Sequence, residues 1–426
     1  MELAYSKRPV DALKLEYQDL LKQFEACKAQ NLNLNIARGK PSKMQLDQVS
    51  DILNVLTEAD ECLDDGIDVR NYGELTGIPC AKAYWADVLG CKPENIFVGG
   101  TSSLNFMFDV IARAYSHGLL RSERPWSKEE KVKFLCPSPG YDRHFLITEF
   151  FGAELIAVPM TENGPDMDLV EDLVKDPQVK GIWCVPKYSN PDGNIYSGET
   201  VRRFAQLKPA APDFAIMWDN AYCVHEFKGE YVEFPDLVGL CAEAGNPHMV
   251  YEFASTSKIT FAGSGFSAMA SSAENVAYFS KLFNVQMISH DKINQLRHVR
   301  YLQNKEHTLE IMKRHAKILA PKFDIVARIL EQEVKPYGIA QWSNPSGGYF
   351  VSFNAMPGTA KRILALCKEA GVIFTPAGAT FPYGKDPMDS NIRIAPSLPP
   401  VEELEQAMGV FCLCVKIAAL EKILQN

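Results

Sequence analysis

Seven short apolar runs, at residues 96–98, 132–136, 155–158, 181–185, 215–218, 250–253 and 268–270, alternate with stretches whose apolar residues recur every three or four positions. Runs this short and this uniformly apolar suit strands buried on both faces, and helices between them let successive strands pair in parallel. The pattern predicts one large α/β domain with a mostly parallel sheet covered by helices. A chain of 426 residues has room for that domain and a second, smaller one.

The flanks supply the rest. After Pro9, the residues Val10, Leu13, Tyr17, Leu20, Phe24 and Cys27 mark one face of an amphipathic helix ending near Asn31. Leu32, Leu34 and Ile36 then alternate with asparagines ahead of a turn at 37–42. A long helical stretch covers about 291–333. Strand candidates at 348–353, 372–375 and 392–394 follow, mixed with two helices, the last over about 401–424. The expected division is an N-terminal segment, 1–47, packing with the small domain; a large domain, 48–300; and a small α+β domain, 301–426.

Composition narrows the partners. The net charge is −9 and no Lys/Arg block is long enough to track a phosphate backbone, so neither nucleic acid nor an anionic membrane is expected. No stretch approaches the ~18 apolar residues of a membrane span, and the N-terminus lacks a basic start followed by an apolar run. A cytoplasmic location is expected. Eleven cysteines without a Cys-x-x-Cys pair read as reduced core residues, and eight histidines without His-Glu-x-x-His give no reason to expect a metal.

Chemistry gathers at the ends of the apolar runs. Lys258 closes Tyr251-Glu-Phe-Ala-Ser-Thr-Ser-Lys258, among small hydroxyl residues and ahead of Gly263-Ser-Gly265. A free lysine amine has a pKa near ~10.4 and is a poor nucleophile at neutral pH. Joined as a Schiff base to an aldehyde cofactor such as pyridoxal 5'-phosphate it becomes a covalent anchor, and once released it is a base. That cofactor also needs a carboxylate on its ring nitrogen and a cradle for its phosphate. Asp219 follows the run at 215–218, where ligands of open α/β sheets collect, and Tyr222 lies three residues on. Gly99-Gly100-Thr101-Ser102 follows the first run and opens a helix, an arrangement suited to an anion, with Ser255 and Ser257 as further donors. Asn190, in a Ser-Asn-Pro-Asp-Gly turn, offers an amide to the cofactor's phenolic oxygen, and Tyr141 a ring to stack on it. Arg393 alternates with Ile392 and Ile394, so it points away from them, and its fork suits a carboxylate. Taken singly, each has a plainer explanation in capping, turn formation, core packing or surface ion pairing.

Assembled in order, Asn190, Asp219, Lys258 and Arg393 resemble the fold-type I pyridoxal-phosphate enzymes of the class I aminotransferase family. Gly39 and Tyr72 match that family's N-terminal glycine and partner-subunit tyrosine. Ala37-Arg-Gly-Lys-Pro-Ser42, Asn71-Tyr-Gly-Glu-Leu75, Trp218-Asp-Asn-Ala-Tyr222 and Asn294-Gln-Leu-Arg-His298 are similar to a bacterial subgroup, Ic, of aspartate aminotransferases. The resemblance implies ping-pong transamination of aspartate with 2-oxoglutarate and a homodimer in which Tyr72 reaches the neighbour's cofactor phosphate. One departure stands out: where the family commonly carries a phosphate-pairing arginine, this chain has Phe266. Arg38, Lys40, Arg143, Lys292 and Arg297 all qualify as partner of a second substrate carboxylate. Arg38 and Arg143, beside expected site loops, come first.

Rival chemistries are weaker. Ser255-Thr-Ser-Lys258 satisfies the Ser-x-x-Lys motif of penicillin-binding hydrolases, but the accompanying Lys-Thr-Gly is missing. Gly263-Ser-Gly265-Phe-Ser-Ala268 fits a loose dinucleotide fingerprint but precedes a strand instead of a helix. Another amino-donor specificity, or a decarboxylase or lyase on the same scaffold, shares every anchor residue named.

Overall fold

The computed structural model describes residues 4–425; the first three residues and Asn426, which belong to the expected terminal segments, lie outside the described residues. Eight strands form the central sheet: β1 (Ile96–Val98), β2 (Lys133–Ser138), β3 (Glu154–Thr161), β4 (Gly164–Pro165), β5 (Val179–Cys184), β6 (Ala215–Asp219), β7 (Val250–Ser255) and β8 (Ser267–Ala270). Their order in space is β1-β8-β7-β6-β5-β2-β3-β4. The five strands β7, β6, β5, β2 and β3 run parallel, β8 is antiparallel to both its neighbours, and β4 folds back on β3. All seven apolar runs are strands of this sheet. The two-residue Gly-Pro strand β4 has no run to announce it.

Successive residues of a strand enter different cores. Ile182, Ile216, Trp218 and Val250 lie in one buried cluster, and Trp183, Met217, Tyr251 and Phe253 in another. That division is the pleat, and covering both faces is why the strands show no polar alternation.

Seven helices matter for the site: α1 (Val10–Lys28), α2 (Ser103–Ser116), α3 (Asp142–Phe150), α4 (Lys292–Leu302), α5 (Lys305–Glu333), α6 (Ala360–Glu369) and α7 (Val401–Gln425). The expected helical stretch over 291–333 is therefore two helices. Gln303 turns left-handed at φ +60°, and the Asn304 side chain accepts from the His307 N–H at 2.8 Å to cap a new start. Neither glycine nor proline marks that break, so periodicity ran straight through it.

A third core is built by α1, α5, α6 and α7 around an antiparallel sheet of β9 (Ala340–Trp342), β10 (Val351–Ala355) and β11 (Asn391–Ile394), in that order. α7 is buried nearly all round from Leu404 to Leu420, which accounts for its unbroken apolar sequence. Leu34–Asn35 pairs in parallel with Val372–Ile373, joining the N-terminal segment to this core. α5 spans both regions, with Ile311 and Met312 in a sheet core and Leu319 to Leu330 in the third. The strand expected at 348–353 begins only at Val351, after Gly348 in the left-handed region at φ +78°. Among the described residues no helix is long and apolar enough to cross a membrane, and no His/Cys/Asp/Glu group is arranged to hold a metal.

Candidate active site

The carboxyl ends of β5, β6 and β7 open onto a cavity of about 540 Å³ whose other wall comes from loop 37–40 and from Thr375 and Arg393. The sequence-predicted cofactor and substrate residues line it, apart from Gly100, Thr101, Tyr72 and two of the five candidates for a second carboxylate, Lys292 and Arg297.

Asp219 ends β6 and is 3% exposed. Its Oδ2 lies 2.9 Å from Nε2 of His144, while Oδ1 is buried with no hydrogen-bond partner. His144 is buried on α3 and stacks on Trp183 with ring centroids 4.4 Å apart and planes 7° from parallel. A carboxylate oxygen left bare at the floor of a cavity lacks a donor, and leaving it so costs about 1–3 kcal/mol.

Lys258 closes the 3-10 turn Thr256–Lys258 that continues β7. Its Nζ is 4.7 Å from the Tyr222 ring centroid and 6.0 Å from that of Tyr349. Burial lowers the pKa of the amine, and the negative charge of Asp219 opposes that shift. Burial likewise holds the Tyr222 hydroxyl well above the usual phenol range and pushes Tyr141 up to about 12.

A hydroxyl cluster faces the start of α2. Ser255 donates to Ser257 at 3.1 Å, and Ser257 donates to the Thr101 carbonyl at 3.2 Å. Ser102 caps α2 by accepting from the Leu104 N–H at 3.3 Å. Gly100 lies just behind, its carbonyl accepting from both the N–H and the hydroxyl of Ser267 at 2.9 Å. Phe266 is far from acting as a cation substitute: it is 1% exposed and packs on Trp85 and His298 with centroids 5.2 and 5.0 Å away.

At the opposite wall, Ile392 and Ile394 turn into the core and Arg393 turns to the cavity, as their alternation implies. Its Nη1 donates to Asp142 Oδ1 at 3.0 Å and to Asn190 Oδ1 at 3.2 Å, and Nη2 donates to Thr375 Oγ1 at 3.2 Å. Its Nε is buried and unpartnered, and the guanidinium lies 4.8 Å from the Phe350 ring centroid. With Asn190 Oδ1 turned to Arg393, the Asn190 amide N–H group is the end left for a ligand. Gly39 fits against the same ring, because a Cβ there would come within 2.5 Å of Phe350 Cζ.

Arg38, Lys40 and Arg143 are exposed on the cavity wall. Lys292 and Arg297 do not line it. Tyr72 sits on an outer turn, 79% exposed. Sequence reasoning missed His144, Asp142, Thr375 and Phe350. His144 and Asp142 stand in the very segment singled out for Tyr141, but nothing local reveals that one faces Asp219 and the other Arg393.

A family model described as aspartate amino-transferase matches residues 10–426. The chain belongs to the aspartate aminotransferase family. An aspartate aminotransferase from Corynebacterium glutamicum ATCC 13032 is 49% identical over 411 residues, covering 96% of this chain and 95% of its own length. A putative aminotransferase from Mycolicibacterium smegmatis is 47% identical, covering 97% of each chain. The crystal structure of an aspartate transaminase from Corynebacterium glutamicum superposes with a TM-score of 0.97 at 48% identity, over 99% of this chain and 100% of that one. The family is of the fold-type I class, and this chain has that fold. It is an aminotransferase, acting on an amino acid and a 2-oxo acid.

Proposed function

We propose that this aminotransferase uses pyridoxal 5'-phosphate to transfer the amino group of aspartate to 2-oxoglutarate. The observation that carries the cofactor is the unpaired Asp219 Oδ1 in a cavity shared with Lys258. An acceptor-only oxygen backed by His144 fits a protonated ring nitrogen, and the Ser102, Ser255 and Ser257 hydroxyls at the start of α2 fit a phosphate. The similarity to an aspartate aminotransferase from Corynebacterium glutamicum supports the substrate.

When bound, the cofactor supplies an aldehyde carbon and a ring that delocalises the negative charge left as the substrate's α-proton departs. This chain's residues do the rest. Lys258 would hold the cofactor through its amine and, once the substrate amine displaces it, would be the base that takes up and returns the substrate's α-proton. Burial disfavours the charged form of its amine, the direction that suits a nucleophile and base. Asp219 would pair through Oδ1 with a protonated ring nitrogen, while His144 holds Oδ2. The Asn190 amide and the Tyr222 hydroxyl would serve the phenolic oxygen, and Tyr141 would offer its ring to the cofactor's. Gly100 and Thr101 back the phosphate cradle, and Tyr72 of a neighbouring copy completes it in a homodimer. Arg393 grips the α-carboxylate, Gly39 leaves room for the substrate, and Arg38 and Arg143 take the distal carboxylate. The large domain is placed at 48–300, between the N-terminal segment 1–47 and the small domain 301–426, and the enzyme in the cytoplasm.

A panel of amino acids tests the substrate: the visible band of the loaded protein is bleached fastest by aspartate and glutamate. Preference for alanine or an aromatic donor overturns the aspartate assignment, and release of carbon dioxide without a keto product points to a decarboxylase. Lys258→Ala abolishes the visible band and the borohydride-fixed peptide; an unchanged spectrum refutes the anchor.

A further inference from the structure

Loop 37–42 is bonded at its two ends to the two poles of the site. At its start, the Ala37 carbonyl accepts from Thr375 Oγ1 at 2.7 Å, and that oxygen in turn accepts from Arg393 Nη2. Just past its end, in the short helix Lys43–Asp47 that Ser42 precedes, lies Gln45, 0% exposed and with both ends of its amide bonded. Its Oε1 accepts from the Ser42 N–H at 3.0 Å and the Ser42 hydroxyl at 3.3 Å. Its Nε2 lies 2.9 Å from Tyr349 Oη and 3.2 Å from His315 Nδ1 on α5. Tyr349 Oη donates a long 3.5 Å bond to the Lys258 carbonyl, and its ring is the one 6.0 Å from Lys258 Nζ. Three segments distant in sequence thus meet at one buried amide, and a fourth, the Lys258 turn, is reached through Tyr349.

We propose that Gln45 is a positioning residue that fixes loop 37–42, and with it Arg38 and Gly39, in register with Lys258. It touches neither substrate nor cofactor. One arm acts on the substrate wall through Ser42, and the other on the Lys258 turn through Tyr349. A neutral amide suits the post because it accepts from one side and donates to the other at any pH; a carboxylate lacks the donor and an apolar side chain lacks both. Burial makes the arrangement rigid, since an unmet partner in this interior costs more than the bond itself is worth. The inference rests on the proposed role of Lys258.

The two arms separate by mutation, each worth about one neutral hydrogen bond, or about fivefold in a rate or binding constant. Steady-state kinetics of the holoenzyme are measured for Gln45→Met, Gln45→Glu, Tyr349→Phe and the double variant Gln45→Met/Tyr349→Phe. Gln45→Met raises KM for the dicarboxylic substrates and lowers kcat, each about fivefold. Tyr349→Phe lowers kcat alone. Gln45→Glu keeps the bond to Ser42, restoring KM but not kcat. In the double variant kcat falls no further than in Tyr349→Phe, because both act on Lys258 through the same hydroxyl. A merely structural residue gives no such split. A folded Gln45→Met enzyme with both constants within twofold of wild type, or multiplicative kcat losses in the double variant, overturns the proposal. If Gln45→Met does not fold, an unaltered kcat in Tyr349→Phe overturns it. Failure of the Lys258 reading shows separately, as a visible band that survives Lys258→Ala.

Discussion

Replacing Arg393 with lysine keeps the positive charge and removes the fork. In the structure the guanidinium serves three acceptors at once, Asp142 at 3.0 Å, Asn190 at 3.2 Å and Thr375 at 3.2 Å, while lying 4.8 Å from the Phe350 ring centroid. A lysine ammonium can meet one carboxylate oxygen but cannot present two parallel N–H groups to a substrate while staying anchored behind. One lost charge-assisted hydrogen bond is worth about 1.5–3 kcal/mol, and the lost contact with Phe350 about 0.5–1 kcal/mol. The sum, near 3 kcal/mol, corresponds to roughly a 10²-fold loss in kcat/KM. Because the carboxylate is held before and during the reaction alike, most of the loss belongs in KM. Steady-state kinetics with aspartate measure it, and the visible band of the loaded enzyme serves as an internal control that stays unchanged. A kcat/KM within fivefold of wild type, or a loss confined to kcat, would falsify the assignment of Arg393 to the α-carboxylate.

Three further outcomes follow from buried groups. His144→Phe preserves a ring against Trp183 but strips Asp219 of its hydrogen bond, so cofactor affinity falls by about tenfold, the worth of one bond to a charged group; an unaltered absorbance titration contradicts this. Lys322, 4% exposed and donating to the Ser397 carbonyl at 2.7 Å, has its pKa lowered by burial to about 8. The folded state therefore releases this proton before the unfolded chain does, and wild type gains stability over Lys322→Met as pH rises from about 8 to ~10.4, by up to about 3 kcal/mol; melting temperatures of the pair that keep a constant gap across that range count against it. Phe266→Arg places a guanidinium between Trp85 and His298 without an acceptor and destabilises the fold by about 3 kcal/mol or more; a variant as resistant to urea as wild type, with tighter cofactor binding, shows that the position still serves the phosphate.

The sheet was legible because its signal is local. A strand buried on both faces must be apolar throughout, so each of the seven runs announced itself, and the alternation with helical periods fixed their mostly parallel pairing. The same locality placed Asp219 and Ser255 at strand ends, with Lys258 on the 3-10 turn just beyond, and turned Arg393 away from Ile392 and Ile394. Where a feature carried no local mark it was lost. The break at Gln303 uses a left-handed residue that is neither glycine nor asparagine, and β4 is two residues long.

What remained hidden is pairing across the chain. His144 and Asp219 are 75 residues apart, Asp142 and Arg393 are 251 apart, and Gln45 and Tyr349 are 304 apart. No periodicity links such residues; each pair exists only because the parallel sheet brings strand ends together and the N-terminal segment folds back onto the third core. The residues legible from sequence are those whose chemistry is unusual in place, such as a lysine just past an apolar strand. Their partners are ordinary histidines, aspartates and glutamines, and only burial shows what they do: a polar side chain kept from water must find a mate, so the orphaned oxygen of Asp219 and the fully bonded amide of Gln45 are opposite answers to one constraint. The first is left open where a ligand is to come, and the second is closed where geometry must not move.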